Sequence, residues 1–332
     1  MNDARNSLLN VEWNAEIAGL LADCVAAISR LDARVSASFF KQSWLKRASY
    51  RGFAAALRAQ HIELEEIDVF NADFGIVSDR DIDRRNLDIV SSLPKWQTEL
   101  DARPITHWNE NLAFSFDPPP NWETAPQLLR ALEVNAFWSR HDHSIDCWLR
   151  MPQLLHSMNI TSSPLPCLAG GDPAFRSMPR NAEGNLRRSL KRLTQAAQDG
   201  SHLLDGLERL VSDMTRSLSS ELRRNSLKTL CIMILDKPVI TPVSFARSTG
   251  LSTSGSGKLM KRAVALGIIS PIKAASSWKM YIARDMATRL NIIKAPVGRP
   301  AMTATPARSV DDILEQFDKE WNDVSDILIR YM

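Results

Sequence analysis

Three short stretches of this 332-residue chain bring together side chains that could do chemistry. Ser254-Gly255-Ser256-Gly257-Lys258 has the glycines, hydroxyls and lysine of a phosphate-binding loop. Such a loop needs a glycine, four residues and then Gly-Lys-Ser/Thr, so that backbone N–H groups cradle phosphate and the last hydroxyl meets Mg²⁺. Ser252 stands where the first glycine belongs and Leu259 follows the lysine, so nucleotide binding is not expected there. His141-Asp142-His143-Ser144-Ile145-Asp146-Cys147 gathers metal-capable groups, with His143 and Cys147 one helical turn apart. Polar positions at a helix end beside Trp138 and Trp148 account for the same pattern, and no metal or other cofactor is expected. Gly298-Arg299-Pro300 has the core of a minor-groove hook, but its neighbours Val297 and Ala301 are not basic; a linker fits better.

Charge is more informative. The net charge is only +3, yet residues 226–294 hold eleven Lys or Arg against two acids, Asp236 and Asp285. The segments on either side are each slightly acidic. A basic block of this kind is the footprint of a module that binds a polyanion, or else a solvated face with no partner.

The elements that carry this block can be read from pattern. Leu227, Leu230, Cys231 and Ile234 mark a first helix that ends at Asp236-Lys237-Pro238. A short extended piece leads to Thr241 as helix cap, and Val243–Thr249 form a second, short helix. Gly250 suits the left-handed turn that closes it, Leu251 is expected to point inward, and Ser252 or Thr253 caps the next helix. That third helix runs from about Ser254 to Leu266, with Leu259, Ala263 and Leu266 facing inward. Ile268-Ile269 start a strand, and residues 272–283 form a basic hairpin with its turn at Ala275-Ser276-Ser277. Helix, short helix, glycine turn, third helix and hairpin in this order are the winged helix-turn-helix arrangement.

In that arrangement the third helix enters the major groove with its N-terminal residues at the base edges. The expected DNA contacts are Ser252, Thr253, Ser254, Ser256 and Lys258, then Lys261 and Arg262 on phosphates, with Lys273 and Lys279 on the wing. The start of this helix has no Arg, Asn or Gln, the side chains suited to paired hydrogen bonds with bases. Specificity is therefore expected to be modest, or to lie in the wing and in DNA shape.

The rest of the chain reads as a helical body. Ile17, Leu20, Leu21, Cys24, Val25, Ile28 and Leu31 form one stripe. Trp44, Leu45, Ala48, Phe53 and Leu57 form a second, and a third helix is expected from Asp79 to Leu93, stopped by Pro94. Residues 101–121 look irregular, 124–158 helical with a break near Pro152, and 161–184 a long loop rich in Pro and Gly. One or two long helices should follow from Asn185 to Arg224, weakened at Gly200 and Gly206. Val310–Met332 is expected to form an acidic amphipathic helix that docks back onto the body, with a dimer or partner-protein contact as the alternative. Four scattered cysteines without paired spacing are expected to be free and buried. No secretory signal is evident, and the longest apolar run, Cys231–Leu235, is too short to span a bilayer.

Ala26–Arg34 and the run from Asn185 through Ile282 resemble a family of uncharacterised proteins of α-proteobacterial plasmids and symbiotic replicons. These carry a domain of unknown function followed by a winged helix. Lys237-Pro238-Val239-Ile240 and Leu266-Gly267-Ile268-Ile269 also resemble the C-terminal winged helix of Fic-type proteins. That likeness implies a body descended from the helical Fic fold. The corresponding nucleotidyl-transfer motif would begin at His143, with Asp146 and Arg150 as relics. Cys147, Trp148 and Leu149 replace the glycines that expose backbone N–H groups to phosphate, and an oxyanion without such donors has no stabiliser.

The expected fold is mainly α: a helical body over residues 1–184, connecting helices over 185–225, a winged helix-turn-helix over 226–294, and a linker with an acidic helix over 295–332. The expected function is transcription regulation by a cytoplasmic, non-enzymatic protein, a homodimer that binds double-stranded DNA and no membrane. The alternatives are a protein-interaction module that does not touch DNA, and a degenerate Fic-type nucleotidyl transferase.

Overall fold

The computed structural model describes residues 7–76, 84–101, 107–109, 112, 114–176, 182–219, 225–272 and 279–294. They are mainly helical, with a small three-stranded antiparallel sheet. The architecture turns on one helix. α1 (Ala15–Ala37) is capped by the Asn14 side chain on the Ile17 N–H. It lies along the 38-residue α9 (Ala182–Ser219). α2 (Lys41–Ala59) packs against both, and also against α3 (Glu66–Phe74) and residues 166–168. Trp44, Ala48, Phe53 and Leu57 of α2 are fully buried, as the stripe predicts, while Leu45 of the same stripe is only partly buried. Tyr50, Ala54 and Ala56 are also fully buried, so the helix is enclosed on almost every side.

Two glycines make this enclosure possible. A Cβ on Gly52 would sit 1.9 Å from the Pro166 carbonyl oxygen, so only hydrogen fits. A Cβ on Gly200 would meet Cys167 Sγ and Leu31 at 2.9 Å, and its carbonyl accepts the Trp44 indole N–H at 2.9 Å. Gly200, a weak point by helix propensity, is thus the place where α9 crosses its neighbours closely. The loop that begins at 161 is not a surface loop either: Leu165–Gly170 are buried between α2 and α9.

The prolines end helices less often than expected. α4 (Arg84–Val90) stops before Pro94, but Pro94 is the second residue of α5 (Leu93–Asp101). Pro152 likewise lies in the first turn of α8 (Met151–Ser157). The region is interrupted at Arg150, just before that first turn, as expected, and a second time between α6 (Gln127–His141) and α7 (Asp146–Leu149). First-turn N–H groups have no intrahelical partner, so a proline there costs nothing and starts a helix.

From residue 225 the elements are α10 (Asn225–Asp236), β1 (Val239–Ile240), α11 (Pro242–Thr249), α12 (Thr253–Ala265), β2 (Ile269–Ile272), β3 (Met280–Ala283) and α13 (Arg284–Arg289). The sheet order is β1-β3-β2, with Val239 opposite Ile282 and Ile269 opposite Ala283. Pro271 is tolerated in β2 because that strand is at the edge. Phe245, Met260, Ala263, Ile282 and Met286 are fully buried among these elements. The described residues through Ile293 form one compact unit. The acidic helix expected at 310–332, the Gly298-Arg299-Pro300 segment and the hairpin tip at 273–278 lie outside the described residues. No helix among the described residues is long and apolar enough to cross a membrane.

Candidate nucleic-acid interface

α11 and α12 are set by local chemistry. Thr241 Oγ1 accepts the Ser244 N–H at 3.0 Å, and Ser244 Oγ accepts the Thr241 N–H at 3.0 Å, a reciprocal cap with Pro242 in the first turn. Gly250 closes α11 at φ 72° and ψ 6°, a left-handed conformation that costs glycine no Cβ clash, and its N–H bonds the Ala246 carbonyl at 2.9 Å. Two residues later Ser252 caps α12, accepting the Gly255 N–H at 3.1 Å.

The face that α12 presents follows from what it buries. Ser256, Met260 and Ala263 turn inward and are fully buried, while Leu259 and Leu266 are only partly covered. The inward face is therefore rotated from the Leu259-Ala263-Leu266 stripe expected from sequence. The buried Ser256 hydroxyl has no hydrogen-bond partner among the described residues. Ser256 is thus withdrawn from the expected contact set: it cannot reach a groove while packed in the core.

Ser254, Lys258 and Lys261 are exposed at four- and three-residue spacing, on one stripe opposite the core, with Thr253 exposed at its start. Arg262 is partly buried beside them and Ser252 is exposed at the cap. Lys279 is exposed just before β3, and Lys273 lies outside the described residues. Leu251, expected to point inward, is 38% exposed in the turn before α12. Two caps bracket it, the Gly250 backbone closing α11 and the Ser252 side chain opening α12, and they leave its side chain on the surface.

The electrostatics of the block depend on the body. Its two acids are both engaged by α2. Lys46 Nζ lies 3.3 Å from Asp236, and Arg47 Nε donates to Asp285 at 3.1 Å. Arg47 is only 1% exposed and Asp285 only 5%. The Arg47 guanidinium also donates to the Leu235 carbonyl, and to the Ile234 carbonyl at 2.9 Å. It thereby satisfies carbonyls left open by the end of α10. A second tie joins Arg289 of α13 to Glu66 of α3, with paired hydrogen bonds of 2.7 and 3.0 Å. By contrast, Arg247, Lys258, Lys261 and Lys279 are exposed and form no ion pair among the described residues. Sequence reading missed Arg47, Glu66 and α13. One signal was present: Arg47 falls three residues after Trp44 and next to Ala48, on the apolar stripe of its helix.

The other constellations do not assemble. Ser254–Lys258 lie within α12 rather than in a loop between strand and helix. His143 precedes the four-residue α7 and is exposed, Asp146 is exposed at its start, and Cys147 is buried. Arg150 sits 3.6 Å from Glu99. Among the described residues no group of three His, Cys, Asp or Glu side chains is placed to hold a metal. All four cysteines are free and buried, and burial pushes the thiol of Cys24 up to about 11 and those of Cys147, Cys167 and Cys231 up to about 12. No family model matches the chain, and no curated protein matches it either.

Proposed function

We propose that the protein binds duplex DNA through a winged helix formed by residues 226–294 and acts as a cytoplasmic transcription regulator. One observation carries this reading: the two acids of the basic block are paired with cations of the body, while Lys258 and Lys261 on the face of α12 stand exposed with no ion pair among the described residues. α12 serves as the recognition helix. Ser252, Thr253 and Ser254 stand near the base edges, and the exposed Lys258 and Lys261, with Arg262 beside them, meet phosphates. Lys279, with Lys273, grips the flanking backbone from the wing. Leu251, exposed between the two caps, supplies an apolar contact of the kind that a thymine methyl accepts.

The first two turns of α12 offer hydroxyls, glycines and one lysine. Affinity then comes mainly from phosphate neutralisation, and sequence preference from a few short side chains and from DNA shape. Titration of the full chain with random duplex at two salt concentrations tests this. Several neutralised phosphates give a log–log salt slope of roughly −4 to −7. Absence of binding at low salt would overturn the proposal and leave a protein-contact role for the same face.

A further inference from the structure

A cleft of about 360 Å³ opens in the helical body, bounded by α2, α6, α9 and residues 167–175. That volume lies toward the small end of sites that hold organic ligands. Its wall is largely apolar: Ala59, Leu132, Met151, Phe175, Leu193 and Ala196 line it. Its charged lining is three arginines, Arg51, Arg58 and Arg192, against one acid, Asp199.

The three arginines are not equivalent. Arg51 is committed to Asp199 and lies 3.9 Å from Glu66. Arg192 donates to the Gly171 carbonyl at 2.9 Å and lies 3.4 Å from Asp172, whose carboxylate is shared with Arg188. Arg58 forms no ion pair among the described residues. Arg58 is exposed, so a ligand can reach it; what desolvation its guanidinium feels works against its charge and the nearby Arg51 adds to that, while Glu65 and Glu66 offset it in part. The cleft thus joins an apolar wall to one guanidinium that is not held in an ion pair among the described residues.

We propose that this cleft binds a small organic anion, an acyl or aryl body carrying a carboxylate or a phosphate, with Arg58 as the head-group contact and the apolar wall holding the body. The cleft belongs to the helical body, so the proposal stands apart from DNA binding by α12. Arg58 suits the role because a guanidinium presents paired donors to either head group.

Isothermal titration of the full chain with three probes tests it: hexanoate, phenyl phosphate and the neutral hexanamide. At least one of the two anions is expected to bind at one site per chain, and the stronger of them names the head group. Hexanamide is expected to bind at least about tenfold more weakly, the loss of one charge-assisted contact. Arg58→Ala should weaken the anion by about the same factor, and Arg58→Lys should restore part of it. Ala196→Phe, which fills the recess without changing charge, should abolish binding. Failure of both anions to bind at millimolar concentration, equal binding of hexanamide, or unchanged affinity in Arg58→Ala would each overturn the proposal.

Discussion

Lys46, Arg47 and Arg51 of α2 and Lys258 and Lys261 of α12 are cations in opposite circumstances. On α2, Arg47 is almost wholly buried, and Lys46, Arg47 and Arg51 each have a carboxylate partner. On α12, Lys258 and Lys261 stand exposed without one among the described residues. A buried charge left unpaired is strongly unfavourable, so a cation in the core is held by partners that the fold must supply. An exposed charge costs the fold little and remains available to something outside. The difference separates what joins the molecule from what it leaves exposed.

The largest expected effect comes from breaking the buried side of this comparison. Arg47→Ala strands the Asp285 carboxylate and leaves the Ile234 and Leu235 carbonyls without their donor. A loss of roughly 3–5 kcal/mol in urea unfolding is expected. Arg47→Met combined with Asp285→Leu removes both charges and should recover much of that loss. A double variant no better than the single one would show that packing, not charge, holds the joint.

The exposed side should respond in the opposite way. Lys258→Ala with Lys261→Ala is expected to lower the salt slope of DNA binding by about 2, as two phosphate contacts disappear. Unfolding stability should stay within about 0.5 kcal/mol of the parent protein. Unchanged DNA affinity would mean that α12 docks by another face. Substitutions at Thr253 or Ser254 are expected to change which sequences bind more than how tightly random duplex binds.

A smaller effect tests the positioning of that face. Ser252→Ala removes the acceptor for the Gly255 N–H and should cost about 1 kcal/mol, whereas Ser252→Gly should cost only a few tenths. Equal losses would argue that the cap does not set α12. The smallest effect concerns pH. Burial lifts the Cys147, Cys167 and Cys231 thiols from 9.0 to about 12. Above pH 9 the unfolded chain therefore loses protons that the folded chain keeps. Their contribution to stability is complete below pH 9 and declines as pH rises toward 12. The melting temperature should fall across that window, and less steeply in Cys231→Ala.

Much of this protein is legible in its sequence because the relevant physics is local. Thr241, Pro242, Gly250 and Ser252 mark the ends of α11 and α12 through caps and one left-handed turn, each formed within a few residues. The apolar spacing of residues 15–33 and 43–60 identifies α1 and α2 for the same reason, and the charge asymmetry of residues 226–294 needs only counting. What the tertiary structure decided is which chemically similar residue faces which environment. It turned Ser256 into the core and Leu251 out of it, placed Pro94 and Pro152 at helix starts, and packed Leu165–Gly170 inside. It also brought Arg47 to Asp285, 238 positions away, and Arg289 to Glu66, 223 positions away. Pairings at that range depend on how whole helices cross. A single change of helix phase alters every one of them, and residue types alone do not record it.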